Sequence, residues 1–165
     1  WIDTGKEGLD LNKEKDWLIT FKHRKADAFL CEHVWEHLTL EEGKKAAKYI
    51  YNLLNPGGYI RVSVPDKYFQ NEQYQNMVKV GGPGPKDHPA FDHKIVYDYK
   101  LFSSVFEQAG FVVNLLEYCD ENGKFHYKDW DNEKGFIYRT FKKDHRNSKN
   151  QLNFVSILID AIKPV

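Results

Sequence analysis

The chain has 165 residues, enough for one domain with a buried core. Hydrophobic residues make up 41% and charged residues 29%, an ordinary globular balance, and the 15% aromatic content favours strands and a ring-lined pocket. Lys plus Arg equal Asp plus Glu at 24 each, which removes any global electrostatic case for nucleic acid or an anionic membrane. Two cysteines, Cys31 and Cys119, are too few for a disulfide framework and read as reduced, cytoplasmic usage. No run of about 18 apolar residues is present to span a bilayer, and no basic-then-apolar leader is visible. Trp1 in place of Met reads as a trimmed start.

In chain order, the opening stretch alternates weakly, and a short strand is expected around Leu9 to Leu11. Residues 22–25 read as a solvated loop. Residues 26–31 are short, apolar and non-alternating, the pattern of a buried parallel strand. Thr39–Leu40–Glu41–Glu42 is a capping box, in which Thr39 caps the first helical amides and Glu42 reaches back to the cap. Ala46, Ala47, Ile50, Leu53 and Leu54 recur at helical spacing, which predicts a helix over 40–54. Asn55–Pro56–Gly57–Gly58 ends it and turns the chain. Residues 59–64 form a second short strand, closed by Pro65. Residues 66–96 read as one long irregular segment, because Gly81–Gly82–Pro83–Gly84–Pro85 cannot be regular structure, and such a length points to a lid or substrate loop.

A helix follows over 98–109, with Leu101, Phe102, Val105 and Phe106 on one face and Gly110 at its C-terminal cap. Residues 111–118 are a third strand. Asn122–Gly123 is a hairpin signal leading to a strand at 125–127, and it opens an insertion over 121–150 that has no clear period. Residues 154–162 are a final, strongly apolar strand. Strands alternating with helices give an α/β fold with a mostly parallel, doubly wound sheet and helices on both faces.

Open sheets of this kind bind ligands beyond the carboxyl ends of their strands. That rule singles out Glu32–His33 after the first strong strand, Pro65–Asp66 after the second, and the 66–96 loop that can close over them. His33–Val34–Trp35–Glu36–His37 also reads literally as His-x-x-Glu-His, which on a helix places two metal ligands and a general base on one face. The strand running into it and the helix cap following it at Thr39 argue against that helix. His88, Asp92 and His93 are permitted metal ligands, but the plain reading is a polar loop. Tyr97, Tyr99, Tyr127 and Trp130 can line a pocket, though such rings more often cover a sheet. Asp129–Trp130–Asp131 reads as a turn and Cys31 as a small buried residue.

Four segments carry a family resemblance. Asp27–Ala28–Phe29–Leu30–Cys31–Glu32–His33–Val34–Trp35–Glu36–His37–Leu38 resembles the fourth-strand motif of class I S-adenosylmethionine-dependent methyltransferases. Leu53–Leu54–Asn55–Pro56–Gly57–Gly58–Tyr59–Ile60–Arg61–Val62 resembles their approach to strand five, and Ala109–Gly110–Phe111 resembles the opening of strand six. Leu158–Ile159–Asp160–Ala161–Ile162–Lys163–Pro164 is similar to their last, antiparallel strand. The matches run in order over residues 27–164. The resemblance implies a Rossmann-like fold over the whole of 1–165 as a single domain, but without the family's first strand and Gly-rich turn. It implies methyl transfer from S-adenosylmethionine to an unidentified, small-molecule or other, acceptor. Cofactor contacts are implied at Asp3, Asp10, Asp16, Trp17, Cys31, Glu32 and His33, with Asp3 or Glu7 standing in for the ribose-binding acid that the family carries about where Gly5 falls. His93 and Asp66 are the catalytic candidates, and no metal is expected. The competing expectations are a catalytically inactive domain of the same fold that binds or scaffolds, and a zinc peptidase acting through His33, Glu36 and His37.

Overall fold

A computed structural model describes residues 4, 6, 8–22 and 24–165. The expected strand around Leu9 to Leu11 is a turn, and a helix follows it. Helix α1, Glu14–Phe21, presents Trp17 and Phe21 inward one turn apart, and Lys22 in the left-handed region ends it. The Trp17 indole N–H donates to the Leu11 carbonyl at 3.1 Å, so the turn packs against the helix that it starts.

Strand β1, Ala26–Glu32, leads through a short 3-10 turn at Trp35–His37 into helix α2, Leu40–Leu53. Both halves of the Thr39–Glu42 capping box form. Ala46, Ala47 and Ile50 face the core, as their spacing requires. Strand β2, Leu54–Pro65, starts directly from α2. Gly57 has φ 78°, and a Cβ on Gly58 would sit 2.9 Å from the Asp27 carbonyl oxygen, so this Pro-Gly-Gly turn is pressed against β1.

Residues 66–96 are not irregular throughout, because helix α3, Glu72–Val78, lies within them. Asn71 caps it by accepting the Tyr74 N–H at 3.0 Å, and Tyr74 and Val78 bury on one side. Helix α4, Tyr99–Glu107, is capped by Asp98. Strands β3, Val112–Cys119, and β4, Phe125–Tyr127, form the hairpin expected around Asn122–Gly123. Strand β5, Ser156–Ile162, closes the sheet.

The sheet order is β1-β2-β5-β3-β4. β1 and β2 pair in parallel, while β5 runs antiparallel to both β2 and β3. Thus β1, β2 and β3 share a direction and the last strand is reversed between two of them, which is the Rossmann-like arrangement that the sequence implies. Phe29 and Cys31 of β1, Ile60, Val62 and Val64 of β2, and Ile157, Ile159 and Ala161 of β5 share the face that packs with the helices in the main core. α2 and α4 pack on each other there. The opposite face, for which the doubly wound pattern predicts helices, is covered among the described residues by the segment after β4. Ile137 and Trp130 pack on Leu116 and Leu158 there. No helix among the described residues is long and apolar enough to cross a membrane.

Candidate functional site

The site begins where β1 and β2 end side by side. Cys31 pairs with Val62 and Glu32 with Ser63, and the His33 N–H then donates to the Ser63 carbonyl at 2.9 Å. His33 takes φ 51°, a left-handed conformation that costs a β-carbon-bearing residue free energy. It turns the chain off the sheet and into the 3-10 turn. Trp35, fully buried against Phe106, anchors that turn and donates its indole N–H to the Gly43 carbonyl at 3.3 Å. Gly43 is needed for this fit, since a Cβ there would lie 3.0 Å from Nε1 of Trp35. With Trp35 locked inward, the neighbouring Glu36 is buried as well, at 1% exposure.

A second wall comes from residues 81–95. The N–H groups of Lys94 and Ile95 both donate to the Glu36 carbonyl, at 2.8 and 3.3 Å, clamping this segment to the 3-10 turn. The Gly81 N–H donates to the His93 carbonyl at 3.0 Å. The imidazole of His93 donates from Nδ1 to the Val78 carbonyl at 2.9 Å, because a carbonyl can only accept. By the same reasoning His37 donates from Nδ1 to the Asp92 carboxylate at 2.6 Å.

The third wall is the chain between β4 and β5. The Glu32 carboxylate accepts the N–H groups of Tyr138 and Arg139 at 3.0 and 2.7 Å. Asn147 holds the other end, donating to the Phe154 carbonyl and accepting the Phe154 N–H, both at 2.8 Å. Nε2 of His33 lies 2.8 Å from the Ser156 hydroxyl. The three walls enclose a cavity of about 310 Å³ whose polar lining includes His33, Glu36, His37, His93, Arg139 and Arg146, with Met77 and Phe154 as apolar walls.

The electrostatics centre on Glu36. Its Oε1 lies 3.3 Å from Nδ1 of His33 and 4.0 Å from Nε2 of His93, yet neither carboxylate oxygen has an aligned hydrogen bond among the described residues. Burial pushes its carboxyl up to about 8. Burial, with Arg139 adding to it, holds His33 well below the usual imidazole value, so this ring is neutral and supplies no countercharge.

Of the residues singled out from sequence, His33 and His93 line the cavity. Glu32 stands at its edge with its carboxylate spent on backbone amides. Cys31 points to the helix side of the sheet, and burial raises its thiol. Asp66 is outside the cavity lining. Its carboxylate accepts the Cys119 N–H at 2.6 Å and the Tyr68 N–H at 2.8 Å, tying strand ends together. Asp10, Asp16 and Trp17 lie apart from the cavity. The Asp10 N–H donates to Asp16, and Trp17 is packed beside Phe21, Phe29 and Tyr49. Asp3 and Glu7 fall outside the described residues. Tyr97, Tyr99, Tyr127 and Trp130 cover the sheet and line no part of the cavity, and His88 is at its wall without joining Glu36. The zinc-peptidase reading is not supported, because residues 33–37 are a left-handed residue followed by a 3-10 turn and form no ligand-bearing helix face. Sequence reasoning undervalued Glu36 and His37 and gave no signal for Arg139, Arg146 or Phe154, which lie in or beside the segment without a period.

No protein-family model and no curated protein matches the sequence. Solved structures do. An S-adenosylmethionine-dependent methyltransferase from Archaeoglobus fulgidus superposes with a TM-score of 0.56 at 17% identity, over 94% of this chain and 66% of that one. The S-adenosylmethionine-dependent methyltransferase SibL, in its apo form, superposes with a TM-score of 0.50 at 12% identity, over 95% of this chain and 35% of that one. The chain has the fold of these enzymes and spans 66% of the archaeal protein's length and 35% of SibL's.

Proposed function

We propose that this chain forms the acceptor-facing part of an S-adenosylmethionine-dependent methyltransferase, with the histidine-lined cavity as the place where the acceptor is held. The observation that carries the reading is the position of the cavity. It opens at the carboxyl ends of parallel β1 and β2, where open α/β sheets of this fold bind ligands. The residues present fit the reacting end of the cofactor, since the left-handed turn at His33 brings backbone and imidazole to that rim. The sequence holds no Gly-rich turn after an apolar strand, and Asp10 and Asp16, the candidates for the adenine side, bond locally.

S-adenosylmethionine supplies an electrophilic methyl group on a sulfonium. The protein's share of the chemistry is alignment of the acceptor and exclusion of water. Phe154 and Met77 give the cavity apolar walls, and Arg139 and Arg146 suit an acceptor that carries negative charge or oxygen acceptors. With S-adenosylmethionine bound, Nε2 of His93, whose other nitrogen is tied to Val78, would take the proton that the acceptor gives up. Asp66 acts as a positioning residue that holds the end of β2. A small-molecule acceptor suits the cavity's size.

The reading is tested by calorimetric titration of the purified chain with S-adenosylmethionine and with S-adenosylhomocysteine. Heat from both, lost in a folded His33→Ala variant, is expected; no heat from either in folded protein counts against it. A second reading, a binding domain without catalysis, is favoured by one observation: Glu32, at the end of β1, is committed to backbone amides and is not free for a ligand.

A further inference from the structure

We propose that Glu36, His37 and His93 form a binding site for a divalent transition-metal ion, with Asp92 and the Val78 carbonyl as its supporting shell. The ligand atoms that these three residues offer all lie within 4.8 Å of one another. Around an ion with bonds of roughly 2.0–2.2 Å, donor atoms stand roughly 3–4 Å apart. Side-chain shifts of under about 1 Å therefore complete the geometry.

Two independent features point to an ion. The first is the orphaned carboxylate: Glu36 is 1% exposed and neither oxygen has a hydrogen-bond partner among the described residues. A buried carboxylate without a donor is unfavourable, and a cation supplies what the protein withholds. The second is the state of both imidazoles. Metal-binding histidines characteristically donate their remote N–H to a carboxylate or a backbone carbonyl, which fixes the ring and leaves the other lone pair free. His37 does this to Asp92 at 2.6 Å and His93 to the Val78 carbonyl at 2.9 Å. The two rings then meet edge to face with centroids 4.8 Å apart.

Two nitrogens and one carboxylate favour Zn2+ or Mn2+ over Mg2+, which prefers oxygen alone. Arg139 and Arg146 line the same cavity, each beside a carboxylate, Glu32 and Asp144 respectively. The site does not depend on the methyl-transfer reading. If an ion is bound, His93 gives its Nε2 lone pair to the metal and is not the base, so metal binding also decides between these two roles.

The test is metal binding by the purified chain, stripped with a chelator and titrated calorimetrically with Zn2+, Mn2+ and Mg2+. A single Zn2+ per chain is expected, bound more tightly than Mn2+ and far more tightly than Mg2+. His93→Ala is expected to abolish it. Asp92→Asn, at an exposed position that the fold tolerates, is expected to weaken it by about 10- to 100-fold. His145→Ala, on the exposed surface, is expected to bind as the wild type does. Circular dichroism confirms that each variant is folded. No Zn2+ binding by the folded wild type, or equal binding by folded His93→Ala and Asp92→Asn, overturns the site.

Discussion

Oδ2 of Asp66 accepts the backbone N–H of Cys119 at 2.6 Å, joining the carboxyl end of β2 to that of β3, the two strands that flank reversed β5. Burial raises the Asp66 carboxyl from 3.8 to about 6, with the Cys119 and Tyr68 amides opposing the rise. Below about pH 4 the folded and unfolded chains both hold this proton. Between there and about pH 6 the folded chain keeps it while the unfolded chain has lost it. Stability from this group therefore falls as pH rises through that window. Urea unfolding at both ends of the window is expected to show the wild type losing on the order of 2 kcal/mol relative to Asp66→Asn. An identical pH dependence in the two proteins contradicts the assignment.

Arg61 is buried at the centre of the sheet face opposite the helices. Its guanidinium donates to both oxygens of Asp160 at 2.7 and 2.8 Å and to the carbonyls of Asp131 and Gly135 at 2.6 and 2.7 Å. One side chain thus holds the covering segment to β2 and β5. Arg61→Leu strands the Asp160 carboxylate and two carbonyls, at an expected cost of about 3–5 kcal/mol. Hydrogen exchange is expected to rise most over residues 131–139, including the two amides that Glu32 accepts. Unchanged exchange there contradicts this role.

Gly82 has φ 63°, and a Cβ on it would lie 2.7 Å from the Ala90 carbonyl oxygen, a backbone atom that has little freedom to move away. Gly82→Ala is therefore expected to destabilise by at least about 1 kcal/mol. The same loop carries His93, so added hydrogen exchange is expected to centre on residues 81–93 while the α2 core stays protected. A variant as stable as the wild type is the contrary result.

The elements that the sequence announces are those whose signals are local. The Thr39–Glu42 capping box and the apolar stripe of α2 lie within one helix, as does the face of Leu101, Phe102, Val105 and Phe106 in α4. Asn122–Gly123 specifies the hairpin by itself. α1 is hidden because Leu18 and Ile19 are exposed beside the buried Trp17 and Phe21, which blurs its stripe. α3 is hidden because it is only seven residues long and largely polar. The site divides in the same way. His33 is legible because it follows a buried strand. Glu36 becomes a buried orphan only when Trp35 is locked under α2 and α4, and Arg139 is held at the cavity by Glu32, which is distant from it in sequence. Such tertiary clamps leave no periodicity to read.

The central claim is that the rim formed by the ends of β1 and β2 is where this protein holds its ligand. Amide-resolved NMR of the chain during titration with S-adenosylhomocysteine tests it most directly. Shifts concentrated at residues 31–37 and along the cavity lining, with the Arg61 face of the sheet unmoved, are the predicted result. A spectrum that stays unchanged at millimolar ligand, or that moves only away from this rim, contradicts the account.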